Sequence, residues 1–381
     1  MLMVGSGAGA FFSLPMGVDS VKLPSVQKVA ANEWRARSLN LSAPQTTSVR
    51  ASMIQEITRT FEPDVLVVDH LPRGIWNELV PTLRMIRRSG GATRVVLGLR
   101  DILDEPDTIR ARWREDGVYA AIERYYDEVL IYGDRDVFAT GELYGIDKVD
   151  NVAVTYCGYV FDGSRRNNSP ASDDEVPPGL ENLKAGEKVV VACGGGGHDA
   201  YPMLSQTIEA SQLIDADGPV RIVVIAGPLM SSEDRARLNA LTLGRDNVTL
   251  VPWASDCLGY LNRSDVSVIM AGYNSTLEAL STSARIVMAP RPGPSSEQRI
   301  RSSLLARRGY VAEVAPDDTS PERLAFEISR ALKAPVRSQR EGLLNGASNA
   351  AKRIMELASS NADASGDDEL PREEASSFVL F

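Results

Sequence analysis

Short, continuously apolar segments alternate with helix-forming segments along most of this 381-residue chain. They predict strands that are covered on both faces, because a strand with one solvent-facing side would alternate apolar and polar residues. Buried strands that alternate with helices are typical of parallel sheets in α/β domains. We predict strands at Val65–Val68, Val95–Leu99, Val129–Tyr132, Val152–Tyr156, Val189–Ala192, Val220–Ile225, Val248–Val251, Val266–Met270 and Ile286–Ala289.

The stretch 161–186 interrupts this alternation, because Asp, Ser, Asn and Pro dominate it, a composition typical of a linker. A chain of this length also exceeds one typical hydrophobic core, which favours two domains. We therefore predict an N-terminal domain over 1–160, the linker over 161–186, a C-terminal domain over 187–358 and a disordered acidic tail over 359–381.

A glycine turn at Gly272 follows the last but one predicted strand and precedes a helix-forming segment. Asn274 or Ser275 is a good N-cap for that helix. Backbone N–H groups at a helix start favour an anion, and the carboxylate of Glu278, about one turn further, can accept hydrogen bonds from paired hydroxyl groups. A phosphate and a ribose together describe a nucleotide.

A second unit of the same kind follows at once. The predicted strand Ile286–Ala289 leads to Arg291, and Ser296 begins the next helix. Glu297 and Gln298 therefore lie on the first turn of a helix beside the same crevice.

A glycine-rich segment, 193–199, follows the predicted strand Val189–Ala192. Its glycines allow the backbone to approach a ligand closely, and their N–H groups can form a concave anion site. The dinucleotide-binding pattern fails at Asp199, and the segment lacks the Gly-Lys-Ser/Thr of a phosphate-binding P-loop. His198 is one of only two histidines in the chain and adjoins this loop, either as a donor contact or as an ordinary loop residue.

The turn, the strand that follows it and the polar pair resemble the donor half of family 28-type glycosyltransferases, typified by the N-acetylglucosaminyl transferase of peptidoglycan synthesis. The likeness is more specific over 188–314 than over 61–159. It implies two Rossmann-like parallel-sheet α/β domains that face each other across a cleft, the GT-B architecture. In the family the glutamate binds the ribose, the polar pair faces the donor sugar and the glycine loop approaches the diphosphate. Donor binding is thereby implied for Gly194, Gly195, Gly196, Gly197, His198, Gly272, Asn274, Ser275, Thr276, Glu278, Glu297 and Gln298.

The resemblance implies transfer of a hexose-type sugar from a nucleotide-diphosphate sugar to an acceptor that the residues do not identify. Inversion without a metal or cofactor is expected, because helix dipoles and backbone amides usually replace the metal in this architecture. Two other functional hypotheses stay open. One is a nucleotide-sugar epimerase of the same fold, and the other is a non-catalytic partner subunit that binds a nucleotide sugar.

An inverting transfer needs a base that takes the proton of the acceptor hydroxyl. Asp69, His70 and Asp101 are the candidates, because they follow predicted strands at the edge where open α/β sheets bind ligands. Asp134 and Asp136 form an Asp-x-Asp tripeptide of the type that metal-dependent glycosyltransferases use. It falls in the acceptor half, so we expect a turn or capping role for it rather than a metal site.

The net charge of −10 argues against a nucleic-acid partner, because phosphate backbones require a clustered basic face. Three cysteines at unrelated spacings predict neither a disulfide framework nor a metal motif, which fits a reducing cytoplasm. No segment is apolar for long enough to span a membrane, although peripheral membrane contact stays open.

The start of the sequence differs from the resembled family, whose first domain opens with a strand, a histidine-containing glycine turn and a long helix. Residues 1–60 contain no histidine, and Met1 to Pro24 resemble the second strand and its loop. We therefore predict that one βα unit of about forty residues is missing relative to a complete enzyme, either through a misplaced start codon or through real truncation. Its absence would leave a sheet edge and a hydrophobic groove uncovered, so that the chain would aggregate or be inactive.

Overall fold

The computed structural model describes residues 1–5, 14–30, 33–90, 93–162, 176–335, 343–362 and 377–380. The strands are β1 (Leu2–Gly5), β2 (Asp19–Lys22), β3 (Val26–Ala30), β4 (Glu33–Ala36), β5 (Val65–Asp69), β6 (Arg94–Arg100), β7 (Glu128–Tyr132), β8 (Ala153–Tyr156), β9 (Lys188–Cys193), β10 (Val220–Ile225), β11 (Val248–Val251), β12 (Val266–Ile269), β13 (Arg285–Met288), β14 (Ala312–Glu313) and β15 (Phe378–Leu380). The helices are α1 (Ala43–Phe61), α2 (Val80–Arg88), α3 (Pro106–Glu115), α4 (Val118–Tyr125), α5 (Thr140–Tyr144), α6 (Tyr201–Ala210), α7 (Ser232–Thr242), α8 (Cys257–Asn262), α9 (Tyr273–Leu280), α10 (Glu297–Arg307), α11 (Pro321–Lys333) and α12 (Gly346–Ala362). Every predicted strand is confirmed to within one residue at each end.

The second half of the chain forms a six-stranded parallel sheet in the order β11-β10-β9-β12-β13-β14. Successive strands run outward from β9 in one direction and then, starting at β12, in the other. Ligands of open α/β sheets bind outside the carboxyl ends of the strands at the point where this order reverses. Here that point lies between β9, which leads into the glycine-rich loop, and β12, which leads into the Gly272 turn.

The first half forms a seven-stranded parallel sheet in the order β2-β1-β15-β5-β6-β7-β8. The C-terminal strand β15 lies in the middle, between β1 and β5. If β15 counts as the first strand, the other strands run outward from it just as they do from β9 in the second sheet. Val379 of β15 is fully buried, and the carboxylate of Asp64 accepts a hydrogen bond from the Ser377 backbone at 2.6 Å.

The structure corrects two expectations about the ends of the chain. The loss of a central strand was expected to leave a sheet edge uncovered, but β15 lies in the centre of the first sheet, between β1 and β5. The tail 359–381 was expected to be disordered, but 359–362 continue helix α12 and 378–380 form β15, whereas 363–376 lie outside the described residues. Strand β15 forms because Val379 is buried against strands that are distant in sequence.

Side chains alternate across every strand, and each sheet packs a hydrophobic core on both of its faces. In the first sheet, Val65, Val67, Val96 and Leu130 face α12, and the alternate residues form the larger core on the opposite face. Helix α12 is also held by Arg353, whose Nη2 lies 2.9 Å from the buried carboxylate of Glu128 in β7. The segment 346–358 therefore packs on the first sheet, whereas the predicted boundaries assigned it to the second domain.

The remaining features lie outside these two sheets. Strands β3 and β4, which the sequence did not predict, form an antiparallel hairpin. Of the predicted linker, 163–175 lie outside the described residues. Among the helices that the structure describes, none combines the length and the apolar character needed to cross a bilayer.

Candidate active site

A pocket with a volume of about 560 Å³ lies at the carboxyl ends of β9 and β12, where the strand order of the second sheet reverses. Most of its wall comes from the second half of the chain, and the first half contributes Arg100 and 160–162. A concave site of this size is in the range of small-molecule sites, which measure roughly 300–1,000 Å³. Of the predicted donor residues, those that line it are Gly195, Gly196, Gly272, Asn274, Ser275 and Glu278.

The Gly272 turn presents the start of helix α9 to the pocket. Gly272 itself is the N-cap and provides no side chain for capping, so the prediction of Asn274 or Ser275 as the cap is wrong. The Ser275 hydroxyl instead donates to the Gly272 carbonyl at 3.2 Å. Glu278 lies in the second turn of α9 and is half-buried. A helix start without a side-chain cap keeps its first N–H groups available to an anion.

The backbone just before this turn has a left-handed conformation at a non-glycine residue. Ala271 has a φ of 64° and is fully buried. The guanidinium of Arg301 donates to the Ala271 carbonyl at 2.8 Å. Left-handed geometry is unfavourable for a residue with a Cβ atom and persists only where its surroundings hold it. The Arg301 contact is one such restraint, and it fixes the turn that leads into α9.

The four glycines of the 194–197 loop have two different roles. Gly195 and Gly196 line the pocket. Gly197 has a φ of +92°, and a Cβ atom there would lie 2.4 Å from the Ala226 carbonyl oxygen. A Cβ atom on Gly194 would lie 2.2 Å from that of Ala200. The outer two glycines therefore allow close packing of the loop on its neighbours, and the inner two present backbone to the pocket.

The other predicted donor residues do not line this pocket. His198 is strongly exposed, with 83% of its side-chain surface accessible, whereas Thr276 is buried in α9. The Glu297 carboxylate accepts from Arg301 Nη1 at 2.9 Å, and Gln298 Oε1 accepts from the Arg291 backbone N–H at 3.2 Å. Glu297 and Gln298 thus fix the start of α10 and the loop after β13.

The Asp101 carboxylate is buried, which excludes it as an accessible base. Asp101 is fully buried, and its Oδ1 accepts from Arg301 Nη2 at 2.8 Å, while the Arg301 side chain is only 1% exposed. This ion pair joins the loop after β6 to helix α10 of the other sheet. The neighbouring residues extend the interface, since Asp104 accepts from the Ser296 N–H at 2.9 Å and Glu105 accepts from Arg299 at 2.6 Å.

Asp69 and His70 are both exposed at the end of β5, and neither lines the pocket. His70 has a positive φ of 67°, and its backbone N–H donates to the Gly98 carbonyl at 2.8 Å. The Asp134 carboxylate accepts from the Asp136 backbone N–H at 2.7 Å, which is the expected turn role. In the part of the chain that the structure describes, no group of three or more His, Cys, Asp or Glu side chains is placed to hold a metal ion.

Several pocket residues were missed by the sequence reasoning, and Arg100 and Tyr273 are the most informative. The Tyr273 hydroxyl donates to the Tyr132 carbonyl at 2.8 Å and accepts from the Val160 N–H at 3.1 Å, which connects the two halves. The Arg100 guanidinium carbon lies 5.4 Å from the Tyr273 ring centroid, within the range of a cation–π contact. Burial raises the pKa of Tyr273 well above its usual value, so its hydroxyl stays protonated.

Trp253 and a cysteine pair also line the pocket. Trp253 is 58% exposed although it lies in the pocket wall, and it follows β11 in a Pro-Trp sequence. An aromatic residue directly after a strand end was the available sequence signal. Cys193 and Cys257 also line the pocket. Their thiols are close together, although the cysteine spacing in the sequence had indicated no relation between them.

Neither a protein-family model nor a curated protein sequence matches the chain. Solved structures do match, at low identity. Arabidopsis thaliana UGT89C1, solved with UDP, has a TM-score of 0.59 at 12% identity and covers 93% of this chain and 91% of its own. A candidate UDP-N-acetylglucosamine 2-epimerase from Listeria monocytogenes has a TM-score of 0.59 at 13% identity and covers 97% and 90%. The calicheamicin glycosyltransferase CalG4 has a TM-score of 0.54 at 13% identity and covers 84% and 81%.

These likenesses establish the fold. The protein has two Rossmann-like parallel-sheet α/β domains, as in GT-B glycosyltransferases. They support the GT-B architecture in general rather than family 28 in particular.

Proposed function

We propose that this protein is a glycosyltransferase that moves a hexose-type sugar from a nucleotide-diphosphate sugar to an acceptor. The observation that carries the proposal is the pocket at the reversal of strand order, in which the Glu278 carboxylate, the start of α9 and the backbone of Gly195 and Gly196 converge. A carboxylate suits ribose hydroxyls, and a helix start beside a glycine loop suits a diphosphate.

Each part of a nucleotide diphosphate has a counterpart in the wall of the pocket. The Trp253 ring offers an apolar face to a base, and Glu278 offers acceptor oxygens to a ribose. Arg100 is an exposed cation that reaches the pocket from the other domain. Its charge would stabilise the diphosphate as the bond to the sugar breaks. We expect this positive charge, together with the backbone amides, to act in place of a metal ion.

We place the sugar beside the start of α10, as the resemblance to family 28 implies for Glu297 and Gln298. The support is indirect, because the observed contacts of both side chains hold that helix and the Arg291 loop in place. For an inverting transfer we retain Asp69 and His70 as base candidates. Both are exposed, whereas Asp101 is buried in its ion pair with Arg301. The three thiols are all free, which fits action in a reducing cytoplasm.

An epimerase is the second candidate, because one structure of similar fold is a candidate nucleotide-sugar epimerase. Epimerisation requires acid and base groups around the sugar itself. The proposed sugar position holds Glu297, which is tied to Arg301, and Gln298, which does not titrate. This arrangement favours the transferase, and a non-catalytic binding subunit remains the third possibility.

Product analysis distinguishes the three functions. The purified chain is incubated with a panel of nucleotide sugars, with and without candidate acceptors, after a thermal-shift screen has selected the donors that stabilise it. A transferase releases nucleoside diphosphate in step with glycosylated acceptor. An epimerase converts the donor sugar without acceptor, and a binding subunit does neither. Epimer formation without acceptor would overturn the proposal, as would binding without any turnover across the panel.

The role of Gln298 is tested in the same assay. Gln298→Ala should reduce turnover of the nucleotide sugar and leave the affinity for the bare nucleoside diphosphate close to that of the wild type. Gln206→Ala, in helix α6 and away from the pocket, is the matched control. Equal losses for both ligands in the Gln298 variant would place this residue outside the sugar subsite.

A further inference from the structure

Two cysteine thiols meet in the wall of the pocket although 64 residues separate them along the chain. The Sγ atoms of Cys193 and Cys257 are 3.0 Å apart. Cys193 ends strand β9, directly before the glycine loop, and Cys257 begins helix α8, directly after the Trp253 loop. The pair therefore joins two segments of the pocket lining, the end of β9 and the start of α8. Cys193 is 3% exposed and Cys257 is half-buried, so the pocket is the route by which a small reagent reaches them.

The environment makes the two thiols chemically different. A hydrogen bond from the Cys257 thiol lowers the pKa of Cys193, against the opposing effect of burial, and the Gly195 backbone N–H adds to the lowering. The same hydrogen bond and burial raise the pKa of Cys257. Cys193 is therefore the thiol that ionises first and the nucleophile of the pair. The third cysteine, Cys157, lies beneath α12 in the first domain, where burial raises its pKa to about 11.

We propose that Cys193 and Cys257 form a reversible disulfide that switches the donor pocket between an open, reduced state and a closed, oxidised state. The oxidant is a hydroperoxide. The Cys193 thiolate attacks the terminal peroxide oxygen and the O–O bond breaks, which gives a sulfenic acid at Cys193 and, with one proton, releases an alcohol, or water where the oxidant is hydrogen peroxide. The Cys257 thiol then attacks the Cys193 sulfur, the S–O bond breaks and water leaves. A cellular dithiol returns both electrons and both protons by thiol–disulfide exchange.

The consequence for ligand binding rests on the proposed function of the pocket. A disulfide bond is about 2.05 Å long, so the two Sγ atoms, which are 3.0 Å apart, must approach each other by roughly 1 Å and draw together the segments that carry them. This movement narrows the space between the glycine loop and the Trp253 loop, which together would hold the nucleotide. Oxidation should therefore weaken nucleotide binding, and bound nucleotide should oppose oxidation by the same factor, because the coupling is reciprocal. We expect a factor of at least about five, the low end of ordinary coupling energies.

The test uses the whole reduced protein and hydrogen peroxide as the oxidant. Thiol titration should fall from three thiols to one, and the intact mass should fall by two hydrogen atoms and recover with dithiothreitol. Peptide mapping should join Cys193 to Cys257. Cys157→Ser, outside the pocket, is the matched control and should still form the disulfide. Cys257→Ser should not form it and should accumulate the sulfinic acid at Cys193.

The nucleotide arm uses uridine diphosphate as the probe, in calorimetry on reduced and oxidised protein. A Kd at least about fivefold higher after oxidation, together with slower oxidation when the probe is bound, supports the switch. A wild-type protein that gains oxygen atoms without losing the two hydrogens overturns the disulfide. An unchanged Kd in a protein that carries the disulfide overturns the switch. If the reduced protein binds no nucleoside diphosphate, the proposed function is contradicted instead. The mass measurement then still shows whether the disulfide forms.

Discussion

Replacing Asp101 with Asn should destabilise the protein, because the change removes one charge of a buried ion pair that joins the two domains. Asp101 and Arg301 are 0% and 1% exposed, and the bond between them is 2.8 Å long. Breaking a buried pair by removing one charge costs about 3–5 kcal/mol, since the other charge stays buried. Arg301 retains Glu297 and the Ala271 carbonyl as partners, so we expect a loss near the low end, about 3 kcal/mol.

The assay is urea denaturation followed by circular dichroism. With a slope of about 3 kcal/mol per molar urea, the expected loss lowers the midpoint by about 1 M. The matched control is Arg237→Ala, which breaks surface ion pairs with Glu233 and Asp234 within helix α7. Such surface pairs contribute about 0–1 kcal/mol, so the control midpoint should move by less than about 0.3 M.

Two results would refute this reasoning. If Asp101→Asn moved the urea midpoint no further than the Arg237→Ala control, the buried pair would not be holding the domains. If the variant kept wild-type stability and nucleotide affinity but lost turnover, Asp101 would have the role of the base that its burial excludes.

Three further predictions concern β15, Arg100 and the reactive thiol. Val379→Asp should abolish cooperative thermal unfolding of the first domain, because it buries a charge between β1 and β5. The control Leu243→Asp, at a site that is 73% exposed, should leave the melting temperature almost unchanged. Arg100→Ala should raise the Kd for a nucleoside diphosphate about tenfold, the effect of a lost charge-assisted hydrogen bond, without changing the Kd for the nucleoside. Equal losses of affinity for both ligands in calorimetry would refute a phosphate contact. The thiolate is the reactive form and exists above the pKa, so alkylation of Cys193 should reach half its maximal rate at a pH below about 8.5, the pKa of an unperturbed thiol. Cys257→Ala should move that midpoint to higher pH, and an unmoved midpoint would exclude the hydrogen bond as the cause.

The nine predicted strands and the glycine turns were predictable, because continuous apolar segments and glycine are local signals that do not depend on the rest of the chain. Strand β15 was not predictable in this way, since three apolar residues after an acidic tail become a strand only through β1 and β5, whose positions in the sequence are remote. Asp101 shows the same limit. Its place after a strand indicates a ligand site, but its burial depends on Arg301 of the other domain.

The pocket residues show the same difference between local signals and contacts between distant segments. Glu278 was predictable from its position on a helix that follows a glycine turn. Arg100 and Trp253 become neighbours of that site only when the two domains and the loop after β11 come together. Glu297 and Gln298 were predicted to contact the sugar, and their observed bonds to Arg301 and to the backbone of the preceding loop leave that contact a prediction.

The most direct test of the donor site is the affinity of the Glu278→Ala variant for a nucleoside diphosphate, measured by calorimetry. If the carboxylate accepts from the ribose hydroxyls, the loss should be about 1.5–3 kcal/mol, a roughly 10- to 150-fold higher Kd. Stability should change little, since Glu278 is half-buried in the pocket wall. Glu322→Ala, on the exposed first turn of α11, should bind like the wild type. A well-folded Glu278→Ala variant with wild-type affinity would contradict the placement of the nucleotide in this pocket.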